Sequence, residues 1–222
     1  MFKIKPIDDG INNKIFKCIP KGLPQKYFCM TVQGSPASGK TTLALWLMIW
    51  MAKFEQAYII ISPTMKNDEK VTEILNKLRK KGKVVYVFDS MKAKTMDEVS
   101  DLLGDGGELQ GMRTMLLIDD VTGSTGALQS EQVIRFCTNR RHMKLNIVLN
   151  VHTYKSVPKK FRLNTDTRII FDSTSIDQKE LKEETDIDLS DYLPHLKQFE
   201  FVMIRSLPQG KFHITKCIDD EF

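Results

Sequence analysis

The segment Gly34-Ser35-Pro36-Ala37-Ser38-Gly39-Lys40-Thr41-Thr42 constrains this chain more tightly than any other stretch. It fits G-x-x-x-x-G-K-[ST], a phosphate-binding loop that works only between a strand and a helix. Gly34 and Gly39 permit backbone angles that a side chain would forbid, so the N–H groups of residues 34–42 can converge on a chain of phosphates. Lys40 adds a mobile positive charge for the β- and γ-phosphates, and Thr41 offers a hydroxyl to Mg²⁺. A helix starting near Gly39 turns its positive dipole end to the same anion. The flanks have the required order. Tyr27–Val32 is rich in aromatic and β-favouring residues and reads as a buried strand, and Thr42–Ala52 reads as a buried helix. A chance Gly/Ser turn would not come with both.

The remaining chain repeats the pattern. Apolar runs at 57–62, 84–88, 115–120, 145–151 and 168–171 read as strands. Helical spacing predicts a helix over 68–81, with Val71, Ile74, Leu75 and Leu78 on one face, a helix over 128–141 and a charged surface helix over 177–185. Thr95-Met96-Asp97-Glu98 reads as a capping box opening a short helix that ends near Leu103, followed by a turn at 104–107. Residues 199–204 and 211–216 alternate around Pro208-Gln209-Gly210, a hairpin signature. The alternation predicts an α/β fold, a mostly parallel central sheet with helices on both faces and a C-terminal hairpin added to it. Residues 1–25, with Pro6, Pro20 and Pro24, read as an arm; 26–176 as the core; and 177–222 as a helix-and-hairpin extension of the same domain.

Composition excludes several classes. A chain of 222 residues with 41% hydrophobic content can bury one sizeable core and is not globally disordered. Cys18, Cys29, Cys137 and Cys217 form no C-x-x-C pair, and Cys29 and Cys137 sit in apolar patterns, which favours reduced core thiols. The start does not read as a signal peptide, and the longest apolar run, 43–52, is too short to span a bilayer, so no membrane insertion is expected. The net charge of +5 suits a nucleic-acid partner without demanding one.

In parallel sheets, ligands bind at the carboxyl ends of the strands. Three polar clusters fall there: the P-loop, Asp119-Asp120 after Met115–Ile118, and Asn150 with His152. An acid ending an apolar strand is the companion a P-loop requires. Asp119 is expected at the Mg²⁺ ion, and Asp120 is expected to polarise the attacking water. Either Asn150 or His152 could sense the γ-phosphate. Arg140 and Arg141 have two readings: cations at a helix C-terminus, or arginine fingers reaching a neighbouring subunit's nucleotide. The helix before them should run antiparallel to the strands and leave them at the opposite edge from the P-loop. Lys155 to Arg162 is basic and could face DNA phosphates or simply be a solvated loop, whereas Lys77 to Lys83 reads as a solvated helix end.

These residues resemble the FtsK–HerA superfamily of ring-forming DNA pumps, particularly the genome-packaging ATPases of large double-stranded DNA viruses and virophages. The resemblance covers roughly residues 27–171. It rests on Gly34 to Thr42, on Leu116-Leu117-Ile118-Asp119-Asp120, on Asn139-Arg140-Arg141-His142, and on a spaced run of His152, Pro158, Phe161-Arg162 and Asn164. That run is similar to Q-x5-P-x-x-[IF]-R-x-N, with His152 where the family usually has Gln. The resemblance implies a RecA-like P-loop NTPase of the ASCE type, with the sensor strand between the P-loop strand and the acidic strand. It also implies ATP with Mg²⁺ as cofactors, a homo-oligomeric ring of five or six subunits, double-stranded DNA as cargo, and a capsid or portal vertex as docking partner. The expected location is the host-cell cytoplasm, at the viral factory, and the virion. Two other readings of the P-loop exist. A small-molecule kinase would need an Arg-rich lid, which is not found, and a nucleotide-binding adaptor without turnover would not need Lys40 and both aspartates.

Overall fold

The computed structural model describes residues 26–65, 68–120, 125–206 and 212–217. The expected N-terminal arm and the Pro208-Gln209-Gly210 turn lie outside them. Eight strands form one sheet: β1 (Cys29–Gln33), β2 (Ala57–Ile61), β3 (Val84–Phe88), β4 (Thr114–Ile118), β5 (Leu145–Val151), β6 (Thr167–Ile170), β7 (Phe201–Ser206) and β8 (Phe212–Cys217). Their order is β3-β2-β4-β5-β1-β6-β7-β8. The first six strands of that order are parallel, and β7 and β8 join antiparallel at one edge. The sensor strand β5 therefore lies between β1 and β4, as the resemblance implies.

Seven helices connect the strands among the described residues: α1 (Lys40–Met51), α2 (Glu69–Lys80), α3 (Ala93–Leu103), α4 (Thr125–Leu128), α5 (Glu131–Asn139), α6 (Lys159–Asn164) and α7 (Ser175–Thr185). Successive residues of a strand point to opposite faces, so apolar residues are buried on both, in two large clusters and a smaller one of Ile170, Val202 and Ile204 with Leu181 of α7. Met30, Val32, Tyr58, Ile60, Met115 and Leu117 pack under α1 and α2. Ile59, Ile61, Leu116, Ile118, Ile147 and Leu149 pack under α3, α5 and α6. Helix α1 is buried along nearly its whole length because it covers the centre of the sheet, and its apolar residues leave no polar stripe. Burying apolar side chains on both faces of β1, β2, β4 and β5 is the main source of stability, at about 25 cal/mol per Å² of apolar surface removed from water. Cys29 and Cys137 are buried free thiols with sulfurs 3.9 Å apart, and burial raises the Cys29 thiol well above its ordinary range.

Two local expectations need correction. The capping box at Thr95 does not cap: α3 begins at Ala93, after Lys92 in extended backbone, so Thr95 is already helical and its backbone cannot adopt the non-helical N-cap conformation. The single helix expected over 128–141 is two. α4 ends at Leu128, and Ser130 takes an extended backbone (φ −60°, ψ 150°) and accepts from the Val133 N–H, which starts α5 as a new helix. Ser130 competes for the backbone as serine does at helix starts, and an apolar periodicity does not reveal that break.

Candidate nucleotide site

The strand register brings the polar strand ends together. Gln33 pairs with Val151 and Ile118 with Leu149, so Gly34, Asp119 and Asn150 emerge at one edge of neighbouring strands. The P-loop is hooked to that edge by the Gly34 N–H, which donates to the Val151 carbonyl at 3.2 Å. The two glycines are required for different reasons. Gly39 has φ +103°, and Gly39 is the N-cap of α1. At Gly34 the constraint is space, since a Cβ would stand 2.5 Å from Ser38 Oγ and 3.0 Å from Phe171 Cβ. Ala37 also turns through left-handed backbone, at φ 63°, which the sequence did not reveal. Ser35, Pro36 and Ala37 are exposed, and Ser38, Gly39, Thr41 and Thr42 are half-buried.

Lys40 is buried, and its ammonium donates to the Gly34 and Ser35 carbonyls at 2.6 and 2.7 Å. Desolvation lowers its affinity for a proton, opposed by the charges of Asp119, Asp172 and Asp120. Asp119 is 2% exposed. It accepts from Asn150 Nδ2 at 2.6 Å, from Thr41 Oγ1 at 3.3 and 3.4 Å and from Ser62 Oγ at 3.5 Å. Burial raises its pKa, and the Asn150 and Thr41 hydrogen bonds act in the opposite direction. Asp120 follows in left-handed backbone (φ 50°), a conformation that Asp tolerates better than most residues, and the turn brings its carboxylate to His152. His152 Nε2 lies 3.2 Å from Asp120 Oδ1, and its Nδ1 lies 3.5 Å from Lys40 Nζ.

These contacts suit a divalent ion. Thr41 and Asp119 present three oxygens within 3.4 Å of one another, and among the described residues no cluster of three His, Cys, Asp or Glu side chains forms a self-sufficient metal cage. Mg²⁺ takes one or two protein oxygens and completes its shell with phosphate and water, which matches that donor set. Ser38 Oγ and Asn150 Oδ1 are buried at the same edge with no hydrogen-bond partner among the described residues, as polar atoms awaiting a ligand would be.

Sequence reading missed three contributors. Ser62 extends β2 and touches Asp119. Asp172, just past β6, accepts from the Ser35 N–H at 2.8 Å and from Ser35 Oγ at 2.5 Å, anchoring the loop from its other side. Both are polar residues at the carboxyl end of a parallel strand, the signal that could have found them. The third is the segment 193–200, which with Ser35 to Ser38, Phe171 and Asp172 lines a cavity of about 370 Å³ beside the P-loop. Phe199 holds left-handed backbone there, at φ 68°, and a Cβ on Gly39 would sit 3.2 Å from its ring.

Arg140 and Arg141 lie at the opposite, amino edge. Arg140 is spent on the fold: Nε donates to the Tyr27 carbonyl at 2.9 Å, Nη1 to the Cys137 carbonyl at 2.6 Å and Nη2 to Asp166 at 3.3 Å. It ties α5 to the starts of β1 and β6 and is not free to reach a neighbour. Arg141 is exposed. Arg162 also turns inward, to Glu180 at 2.6 Å and Glu184 at 2.9 Å, and its guanidinium lies over the Tyr154 ring. Of the spaced run, then, His152 stands in the site, whereas Pro158, Phe161 and Arg162 build and seat α6.

A parallel sheet with its P-loop, acidic strand and sensor strand on adjacent strands defines a P-loop ATPase of the RecA-like kind. A model of the Poxvirus A32 protein family matches residues 17–208, and the chain belongs to that family. No curated protein sequence matches it. Among solved structures, it is similar to B204, the DNA-packaging ATPase from Sulfolobus Turreted Icosahedral Virus, with a TM-score of 0.68 and 14% identity over 88% of this chain and 100% of that one. The genome-packaging NTPase B204 from Sulfolobus turreted icosahedral virus 2, in complex with ATP-gammaS, matches at a TM-score of 0.63 and 15% identity, over 86% and 98% of the two chains. Thermomonospora curvata EccC (ATPases 2 and 3) matches at 0.56 and 12% over 87% of this chain and 37% of that one. At these identities the likeness is one of fold.

Proposed function

We infer that this chain is the ATPase of a viral genome-packaging motor, hydrolysing ATP to move double-stranded DNA into a preformed capsid. The observation that carries the reading is the convergence of Lys40, Thr41, Asp119, Asp120 and His152 on one sheet edge in a member of the Poxvirus A32 protein family. The loop N–H groups of 34–42 and Lys40 would hold the phosphates. For Lys40 this means exchanging the Gly34 and Ser35 carbonyls for phosphate oxygens. Thr41 and Asp119 would hold Mg²⁺, which when bound neutralises charge on the β- and γ-phosphates. Asp120 would orient and deprotonate the attacking water, and His152, touching both Lys40 and Asp120, would report whether the γ-phosphate is present. The base would sit in the cavity between Ser35–Ser38 and Phe199, where aromatic rings and mixed polar groups suit a purine.

Arg141, which is exposed, would act across a subunit boundary in a homo-oligomeric ring of five or six copies. A capsid or portal vertex would anchor the ring, in the host-cell cytoplasm at the viral factory, with retention in the virion. Among the described residues no helix is long and apolar enough to cross a membrane. The deciding experiment is ATP turnover with and without long duplex DNA, with Lys40→Ala as the control. DNA-stimulated turnover that is lost in Lys40→Ala is expected. Turnover stimulated by a small acceptor and indifferent to DNA would overturn the reading in favour of a kinase.

A further inference from the structure

The basic stretch that follows the sensor strand is sorted by the fold into two populations. Arg162 is buried and paired with Glu180 and Glu184, and Arg168 is buried and donates to Tyr154 Oη and to the Thr165 and Arg162 carbonyls. Lys155, Lys159 and Lys160 are exposed. No acid occurs between His152 and Thr165. Glu180 and Glu184 of α7 are both held by Arg162, and no salt bridge among the described residues engages Lys155, Lys159 or Lys160.

The three lysines also sit on a rigid mount. Lys155 lies in a 3₁₀ turn, Tyr154–Ser156, that begins two residues after His152. Ser156 Oγ donates to the Thr153 carbonyl at 2.6 Å, and Tyr154 is buried and donates to Glu184 at 2.6 Å. The Lys155 N–H donates to Asp177 Oδ1 at 2.9 Å, and Gln33, the last residue before the P-loop, donates to Asp177 Oδ2 at 3.3 Å. Asp177, 2% exposed, thus fastens the lysine turn and the P-loop strand to one carboxylate. A chain of direct contacts joins the nucleotide edge to the turn that carries Lys155.

We propose that Lys155, Lys159 and Lys160 form the face that grips duplex-DNA phosphates, mounted so that the nucleotide state at His152 and the P-loop moves it. The proposal rests on the packaging reading above and deepens it. Phosphate contacts carry affinity without sequence preference, as a pump for a whole genome requires. Leu163, 68% exposed, lies on the same side of α6 as Lys159 and Lys160, and serves as a discriminator, because a protein-docking face would depend on it.

The test uses the full chain with the Lys155→Gln/Lys159→Gln/Lys160→Gln variant, a Lys→Arg version of the same positions, and Leu163→Ser. Binding to a random-sequence duplex is measured over a range of salt, together with basal and DNA-stimulated ATP turnover. The Gln variant is expected to keep basal turnover and its melting temperature. It should lose about tenfold or more in DNA affinity at low salt and lower the salt slope by up to about 2.7, from about 0.9 per phosphate contact. The Arg version should retain the slope, and Leu163→Ser should bind DNA within about twofold of the parent. Parent-like affinity and slope in the Gln variant, while the parent binds DNA, would overturn this assignment alone. A parent chain with no duplex affinity would overturn the packaging reading and this face with it. Loss of duplex binding in Leu163→Ser but not in the Gln variant would overturn the assignment, because the contact would then be apolar rather than ionic.

Discussion

The imidazole of His152 bridges two groups with opposite charges, its Nδ1 3.5 Å from Lys40 Nζ and its Nε2 3.2 Å from Asp120 Oδ1. An ammonium has only protons to offer, so the nitrogen facing Lys40 must accept and the one facing Asp120 must donate, which selects the Nε2–H tautomer of the neutral ring. In the proposed mechanism Lys40 would exchange its loop carbonyls for a phosphate, and any shift of its ammonium would be felt at the ring and through it at Asp120.

Asp120→Asn should therefore bind nucleotide within about twofold of the parent but turn it over about 10²-fold more slowly, because an amide cannot take the water's proton. His152→Gln should keep most activity, since an amide can accept from Lys40 and donate to Asp120, whereas His152→Ala should lose about tenfold. Single-turnover rates and nucleotide titrations separate the two effects, and equal losses in Gln and Ala would remove the bridge from the mechanism.

The two neighbouring arginines should behave differently. Arg140→Ala strips partners from Asp166 and from the Tyr27 and Cys137 carbonyls, and should cost about 2 kcal/mol or more in a urea denaturation. Arg141→Ala should fold normally and lose turnover. Mixing it with Lys40→Ala should restore part of the rate, since one chain supplies the site and the other the finger. If mixed assemblies stay inactive, Arg141 does not act in trans.

Arg162 is 6% exposed at the side chain and is shared by two glutamates. Arg162→Ala should destabilise the chain by about 2–3 kcal/mol, because two half-buried carboxylates are left without their cation. The Arg162→Met/Glu180→Gln/Glu184→Gln variant should recover most of that loss. If it does not, packing against Tyr154 rather than charge is what Arg162 supplies.

Glu55 is 1% exposed, accepts from Asn146 Nδ2 at 2.9 Å, and has a second carboxyl oxygen with no hydrogen-bond partner among the described residues. Burial raises its pKa from 4.5 to about 7. The folded chain holds this proton more tightly than the unfolded one, so the stabilisation is complete below about pH 4.5 and is lost as the pH rises to about 7. That loss amounts to about 3 kcal/mol. Glu55→Gln resembles the protonated acid and should flatten stability between pH 5 and 8. A parent-like pH slope in this variant would assign the dependence elsewhere.

The parts of the site that were legible in advance are those whose chemistry is local. The P-loop motif declares itself within nine residues. Asp119 is legible because it ends an apolar run, and β5 because its burial on both faces gives a largely apolar strand, broken by Asn146 and Asn150, with the bounds expected. The fold class follows from the same alternation. Breaks in helices were less legible: Ser130 restarts the helix through one side-chain hydrogen bond that apolar spacing does not record.

The chain alone determined that a phosphate loop, an acidic strand end and a polar strand end would meet at one sheet edge, because parallel pairing leaves their carboxyl ends no other place. Which cations serve the fold and which face outward was decided only by tertiary structure. Arg140 meets Asp166 and Arg162 meets Glu180 and Glu184 across loops and strands, and Asp172 reaches Ser35 across 137 positions of sequence. A side chain's charge is written in its residue type. Its partner is set by the packing of elements that the sequence order keeps apart, and the difference in burial makes one arginine a structural tie and its neighbour an exposed cation.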